Sequence, residues 1–294
     1  MNKLAVLALT LLLFFSAMLW YLAEQSLNDY LKSQVVLQSH YYSAEQAQLI
    51  DANFSNTTGI ASFTHFSLNN IDGFAEPLVL KANKITAQLA PTPTKQLETP
   101  SLQKETTTII QVKQLHFDHV HAWSEVTSSD TGETNLAILY TKIKTQLALD
   151  YPALYPQTSA KLYAKKYPER SEKIALAALG TAPIAKPVET NQAIIASNET
   201  KQKNRLLGKA STRVLINAVM IDRLTLTMRQ GNQIISKDFS NIALGNIGGD
   251  NGLASNQLGG ELLRKLLAKL ISLENANVLS TTNLNQLKNQ ITPN

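Results

Sequence analysis

The chain of 294 residues has no cysteine. That excludes a disulfide scaffold, thiolate metal sites and cysteine nucleophiles together. Charge is also sparse: charged residues are 17% of the chain, too few for a disordered polyelectrolyte. The 27 basic and 22 acidic residues nearly balance, leaving a net charge of +5 and no signature of nucleic-acid binding. What is plentiful is apolar surface, at 44% of residues, enough for one large or two modest domains with real cores. It does not suffice for a many-pass membrane protein.

The longest apolar run without a charge is at the start, LAVLALTLLLFFSAMLWYLA from Leu4 to Ala23. As a helix it would be about 30 Å long, the thickness of a bilayer core. Lys3 precedes it and Glu24 follows, so the positive-inside rule keeps the amino end cytoplasmic and sends residues 24–294 across. Trp20 and Tyr21 suit the far headgroup layer. The competing reading is a cleaved signal peptide, but the run is longer than the usual apolar region and Leu19 to Ala23 is a poor cleavage site. The expectation is a single-pass anchor in a bacterial inner membrane, with the bulk of the chain periplasmic.

Residues 24–50 carry Leu27, Tyr30, Leu31 and Val35 at helical spacing and predict a helix, ended by the turn-rich patch Asn53 to Gly59. Short strands are predicted at Phe63 to Leu68, Leu78 to Leu80 and Ile85 to Leu89, and residues 91–106 read as a polar loop. Asn135 to Leu149 predicts a helix burying Leu136, Leu139, Ile143 and Leu147. Residues 150–211, rich in Ala, Lys and Pro, read as a linker, part helical.

An internal echo links the two halves. LHFDHVHA at 115–122 and VMIDRLTL at 219–226 match in their apolar positions and in Asp118 and Asp222, and Ile110 and Val112 match Val214 and Ile216. In each copy the apolar side changes face near the middle, as a bulge would make it do. The pattern predicts long antiparallel strands with one greasy face.

After a strand at Ile234 to Asp238 come FSNIAL at 239–244 and the glycine-rich stretch Gly245 to Gly252, with Ser255 placed to cap a helix. Along that helix, 256–273, Leu258, Leu262, Leu263, Leu266, Leu267, Leu270 and Ile271 share one side. Glu261, Arg264, Lys265 and Lys269 occupy the other, and the default fate of the helix is to pack on the sheet.

The segments FSLNNIDGFAEPLVLKANKITAQL, IIQVKQLHFDHVHAW, RVLINAVMIDRLTLTM and FSNIALGNIGGDNGL follow the apolar leader in that order. In this order the chain resembles the AsmA-like family of Gram-negative envelope proteins, over residues 1–149 and 212–272. The resemblance implies an inner-membrane-anchored periplasmic β-rich body with a hydrophobic groove, linked to phospholipid traffic or outer-membrane assembly, and brings no catalytic residues. The chain departs from the family's long members. About 200 residues in strands of ~12, stacked at ~4.8 Å, would give a groove of roughly 75 Å at most, too short to cross the envelope alone.

The fold expected is therefore α+β. A transmembrane helix (1–23) leads into a curved, mainly antiparallel sheet whose halves, 24–149 and 212–274, flank the linker, with the amphipathic helix closing the second half and a polar tail at 275–294. Candidate acyl-chain contacts are Val112, Leu115, Phe117, Val120, Ile216, Val219, Ile221 and Leu224, which serve equally as ordinary core. His116, His119 and His121 with Asp118 fail as a metal set, because strict alternation puts them on two faces. Gly245 to Gly252 lacks the Lys-Ser/Thr of a phosphate loop, its Asp250 would repel an anion, and as a calcium loop it lacks oxygen ligands at Gly252 and Ala254. Lys161, Lys165, Lys166, Arg170 and Lys173 form a solvated basic cluster able to touch anionic headgroups. No catalytic residue, metal or cofactor is expected. The function read from this is non-enzymatic lipid handling or outer-membrane assembly, with a membrane, phospholipid acyl chains and envelope assembly proteins as partners. The alternative is a structural module acting through protein contacts with no lipid groove.

Overall fold

The computed structural model describes residues 26–90, 95–97, 107–126, 133–166 and 212–291. Helix α1 spans 26–43. It leads to the short strands β1 (Ala47–Gln48) and β2 (Asp51–Ser55), then β3 (Ile60–Asn69), β4 (Leu78–Leu89), β5 (Lys95–Leu97) and the long β6 (Thr107–Glu125). Helices α2 (Asn135–Asp150) and α3 (Pro156–Lys166) precede a second long strand, β7 (Thr212–Gln230). Strand β8 (Gln233–Ile247), a 3-10 turn at Gly249–Asn251, β9 (Leu253–Ala254) and helix α4 (Leu258–Ile291) complete the described chain.

The strands form one sheet in the order β1-β3-β4-β6-β7-β8, with β2 on β3, β5 on β6 and β9 on β7. All pairs are antiparallel except β6 with β7, which run parallel over their whole length. Their register is the echo itself. Ile110 faces Val214, Val112 faces Ile216, Leu115 faces Val219, Phe117 faces Ile221 and Val120 faces Leu224. The two copies are thus neighbours, aligned residue for residue. A parallel pair cannot be closed by a tight turn and needs a crossover, and the segment read as a linker is part of that crossover.

Two elements of the expected architecture are corrected. No helix among the described residues is long and apolar enough to cross a membrane, and the segment given that role, 1–23, lies outside the described residues. The transmembrane helix is therefore no part of the described fold. The two echo strands, expected to be antiparallel, run parallel to each other within a sheet that is otherwise antiparallel, since side-chain alternation does not encode strand direction.

Smaller differences have local causes. The first helix stops at residue 43, and Asp51–Ser55 is an edge strand that runs into the turn-rich patch. Gly245 lies within β8, so the turn is confined to residues after Ile247. Helix α4 continues through the polar segment to Ile291. In the basic cluster, Lys161, Lys165 and Lys166 belong to α3, while Arg170 and Lys173 lie outside the described residues.

The change of face seen in the echo is shared by every long strand. Buried or core-packed positions go from Phe63 to Phe66 in β3, from Ala82 to Ile85 in β4, from Phe117 to Val120 in β6, from Ile221 to Leu224 in β7 and from Phe239 to Ile242 in β8. These positions are mutual partners: Ile85 with Phe117, Ala82 with Val120, Phe117 with Ile221, Leu224 with Phe239. A crease therefore crosses the whole sheet at one level. A single slipped strand would turn its apolar side to water, whereas a shared slip keeps the buried face continuous. His65 and Asn241, with φ of 54° and 55°, take left-handed backbone on this line, a conformation in which His and Asn are enriched.

Candidate functional site

The crease divides the covered face of the sheet. Beyond it, α2 and the middle of α4 close over Leu68, Val79, Ala82, Val120, Ala122, Leu224 and Leu226. Leu136, Leu139, Ile143 and Leu147 of α2 are fully buried there, as their spacing predicts. Thr134 caps that helix by accepting from Ala137 N. This half is solid core.

On the near side the cover is α1 and the start of α4, and the packing is incomplete. A cavity of about 420 Å³ remains between Leu27, Leu31 and Val35 of α1, Leu258, Leu262 and Leu266 of α4, and the sheet. The sheet contributes Phe63 and Phe66 from β3, Ile85, Ala87 and Leu89 from β4, Val112, Leu115 and Phe117 from β6, and Ile216 from β7. The volume is in the range of small-ligand sites, ~300–1,000 Å³. Among the described residues, polar side chains enter the wall only as Gln34, Gln38 and Ser39, all on α1, and no charged residue lines it.

The cavity has a tight end and an open end. At the tight end Gln38 joins the two helices, its Nε2 donating to Ser255 O at 3.2 Å and its Oε1 accepting from Gly259 N at 2.9 Å. The capping role assigned to Ser255 is thus taken by Gln38. Tyr42 follows, donating its hydroxyl to Asn256 O at 2.9 Å. Close approach of the helices needs Gly259 and Gly260, because a Cβ on Gly260 would lie 2.7 Å from the Tyr42 ring. At the other end the wall is half-buried at Leu27, Leu31 and Leu89, and Ile110 is exposed. This mouth adjoins the first turn of α1, a few residues after the uncharged run Leu4 to Ala23.

Of the eight residues predicted to meet an acyl chain, Val112, Leu115, Phe117 and Ile216 line the cavity. Val120, Val219, Ile221 and Leu224 are packed core, each at most 1% exposed. The α1 and α4 contributions, and Phe63 and Leu89, escaped sequence reasoning. The apolar stripe on 24–50 was the available signal, but which helix faces which half of a sheet is a tertiary property.

The face of the sheet turned away from the described helices is polar. The crease brings His116, His119 and His121 to one face, against the strict alternation expected. Each then bonds across to β7, two residues beyond its register partner: His116 Nε2 to Asp222 Oδ1 at 2.7 Å, His119 to Thr225 Oγ1 at 3.1 Å, His121 to Thr227 Oγ1 at 3.0 Å. His121 also stacks on Trp123 with ring centroids 3.9 Å apart. Burial, with the nearby His119 and Lys81, lowers its pKa. Among the described residues no group of His, Asp and Glu is arranged to hold a metal. Asp118 and Asp222 sit opposite each other on the crease and lean on the other strand's base, Asp222 on His116 and Asp118 on Arg223 at 3.7 Å. They are a ladder of strand-to-strand contacts, and no acid–base pair is formed.

The sequence matches no family model, and neither the curated proteins nor the solved structures give a match.

Proposed function

We propose that the protein handles lipids in the bacterial envelope, without catalysis, by holding an acyl chain in the cavity under α1. The observation that carries this is the cavity wall: apolar on the sheet and on α4, and without a charged side chain among the described residues. Transfer of methylenes from water into such a wall is favourable by roughly 0.8 kcal/mol each. A charged headgroup finds no partner inside and stays at the mouth. The resemblance to AsmA-like proteins points the same way, toward phospholipid traffic or outer-membrane assembly. The sealed half of the sheet supports the second reading, a module acting through protein contacts, if the cavity holds nothing.

Site-specific photocrosslinking of the full chain in cells separates the two. A photoreactive residue at Leu31 or Ile110 should yield adducts with the mass of acyl lipids, and one at Thr227 on the polar face should not. Ala87→Phe, which fills the cavity, should abolish the Leu31 adducts. Equal lipid labelling at 31 and 227, or adducts only to protein, would reject acyl-chain binding.

A further inference from the structure

A second pocket, polar and separate from the apolar cavity, opens at the amino end of α4. It measures about 320 Å³ and is lined by Tyr155, Gly248, Gln257, Glu261, Arg264 and Lys265, among others. Its charges do not cancel, since two cations face one carboxylate. That carboxylate is also fully engaged. Arg264 donates to Glu261 Oε1 at 2.6 Å and to Oε2 at 2.8 Å, and the Tyr155 hydroxyl donates to Oε2 at 2.6 Å. Burial alone would raise the Glu261 pKa, but the Arg264 and Tyr155 hydrogen bonds outweigh it and hold it low. Lys265 donates to Asn246 O, which holds its ammonium at the rim and leaves it further hydrogens.

One group in this wall has no explanation within the protein. Gln257 is 2% exposed, and its Nε2 makes no hydrogen bond. The Tyr155 hydroxyl in the same wall gives its hydrogen to Glu261, and its oxygen can engage only one of the two Gln257 Nε2 hydrogens, which leaves the other without an acceptor. A buried amide donor left without an acceptor costs about 1–3 kcal/mol, so it is a place where a ligand oxygen would be stabilised. Gln257 O accepts from Glu261 N at 3.1 Å, which places Gln257 at the first turn of α4, where partial positive charge favours anions.

We infer that this pocket binds a phosphate group, with Gln257 Nε2 and Lys265 Nζ donating to its oxygens and Arg264 completing the positive field. The glycine-rich stretch alone does not make such a site. Its cations come from α4, which the loop pattern does not include, and Asp250 is exposed and lies outside the pocket wall. The inference does not depend on acyl-chain binding, because the two pockets lie on different sides of α4.

The source of the phosphate is decided by two probes titrated calorimetrically into the full chain in non-ionic detergent. One is inorganic phosphate; the other is dihexanoyl phosphatidylglycerol, with dihexanoylglycerol as its phosphate-free control. Binding of inorganic phosphate alone identifies a free phosphate as the ligand, and binding of the phospholipid but not its control identifies a headgroup. In either case Gln257→Leu should weaken binding about tenfold and Lys265→Ala about fivefold, as expected for single charge-assisted hydrogen bonds. Lys265 is half-exposed, so its variant tests the site even if the Gln257 variant unfolds. Absence of binding by both probes, or binding that Lys265→Ala leaves unchanged, would overturn the inference. Lipid crosslinking at Leu31 should persist in both variants, so this test and that of the apolar cavity fail separately.

Discussion

Gln38 and Gly259 lie 221 residues apart in the chain, yet the side-chain carbonyl oxygen of Gln38 accepts the Gly259 amide hydrogen at 2.9 Å. The first helix of the described chain thereby caps the last one. Amide groups in the first turn of a helix have no intrahelical acceptor, and a partner from another element ties the two positions together. The cavity's tight end exists because this contact and the Tyr42 hydrogen bond hold α1 against α4.

The same closeness makes Gly260 a sensitive position. Its Cβ would meet the Tyr42 ring, which is 1% exposed and tied by its hydroxyl to Asn256 O. Gly260→Ala should lower stability by about 1–3 kcal/mol, the usual cost of overpacking. Urea unfolding followed by circular dichroism measures it. A midpoint unchanged from the parent would mean that the helices do not approach this closely.

A different kind of contact fastens the far end of the sheet. Asn135 is fully buried at the start of α2, and its amide donates to Asn70 Oδ1 at 2.9 Å and to Trp123 O at 3.0 Å. Its Oδ1 accepts from Glu125 N, and the Glu125 carboxylate in turn accepts from the amides of Ala75 and Glu76. The turn after β3, the end of β6 and the start of α2 thus share one hydrogen-bonded network. Asn135→Leu keeps the branched shape, though with more bulk, and strands several buried groups, each worth about 1–3 kcal/mol. A loss of about 2–4 kcal/mol in urea unfolding is expected, and a loss under about 1 kcal/mol would show the network to be dispensable.

Much of this was readable from the chain because it depends on local periodicity. Leu136, Leu139, Ile143 and Leu147 recur at helical spacing and are buried together. The echo between 115–122 and 219–226 coincides with the register of β6 on β7, but the similarity alone did not say that the two strands are neighbours. It could not give their direction, since alternation is the same in parallel and antiparallel ladders. Nor could it reveal that His116 shares a face with His119, because that needs the crease to run through all five strands at one level. Half of the predicted acyl contacts fell in solid core for a similar reason. The sequence marks which side of a strand is apolar, whereas the helix above decides whether that side meets a side chain or a void.

The parallel pair permits a direct comparison of its two faces. On the exposed face His116 and Asp222 are 34% and 48% exposed, so their attraction is screened by water and worth less than about 1 kcal/mol. On the covered face Leu224 is 1% exposed and packs in the filled half. Asp222→Asn should therefore cost under about 1 kcal/mol and Leu224→Ala about 2–5 kcal/mol in the same unfolding assay. The reverse ranking would mean that the polar ladder holds β6 and β7 together.

The grip of α4 on β6 should respond to pH with a definite sign. Glu274 is buried and accepts the Ser124 hydroxyl at 2.6 Å, and burial raises its pKa above the ordinary value despite that bond. Between the unfolded and the folded pKa the native state keeps a proton that the unfolded chain has lost. Stability therefore falls as pH rises through that window and stays lowered above it. Glu261 has the opposite sign. Its folded pKa is depressed, so it contributes stability above the unfolded pKa and loses that contribution as pH falls through the folded one. Glu274→Gln removes only the first effect. The variant should be more stable than the parent at neutral pH, by something on the order of 1 kcal/mol, and the difference should shrink as pH falls toward the ordinary carboxylate range. Urea midpoints collected across the acidic to neutral range measure this. A difference that is constant with pH would place Glu274 in contact with water and would release the end of β6 from α4.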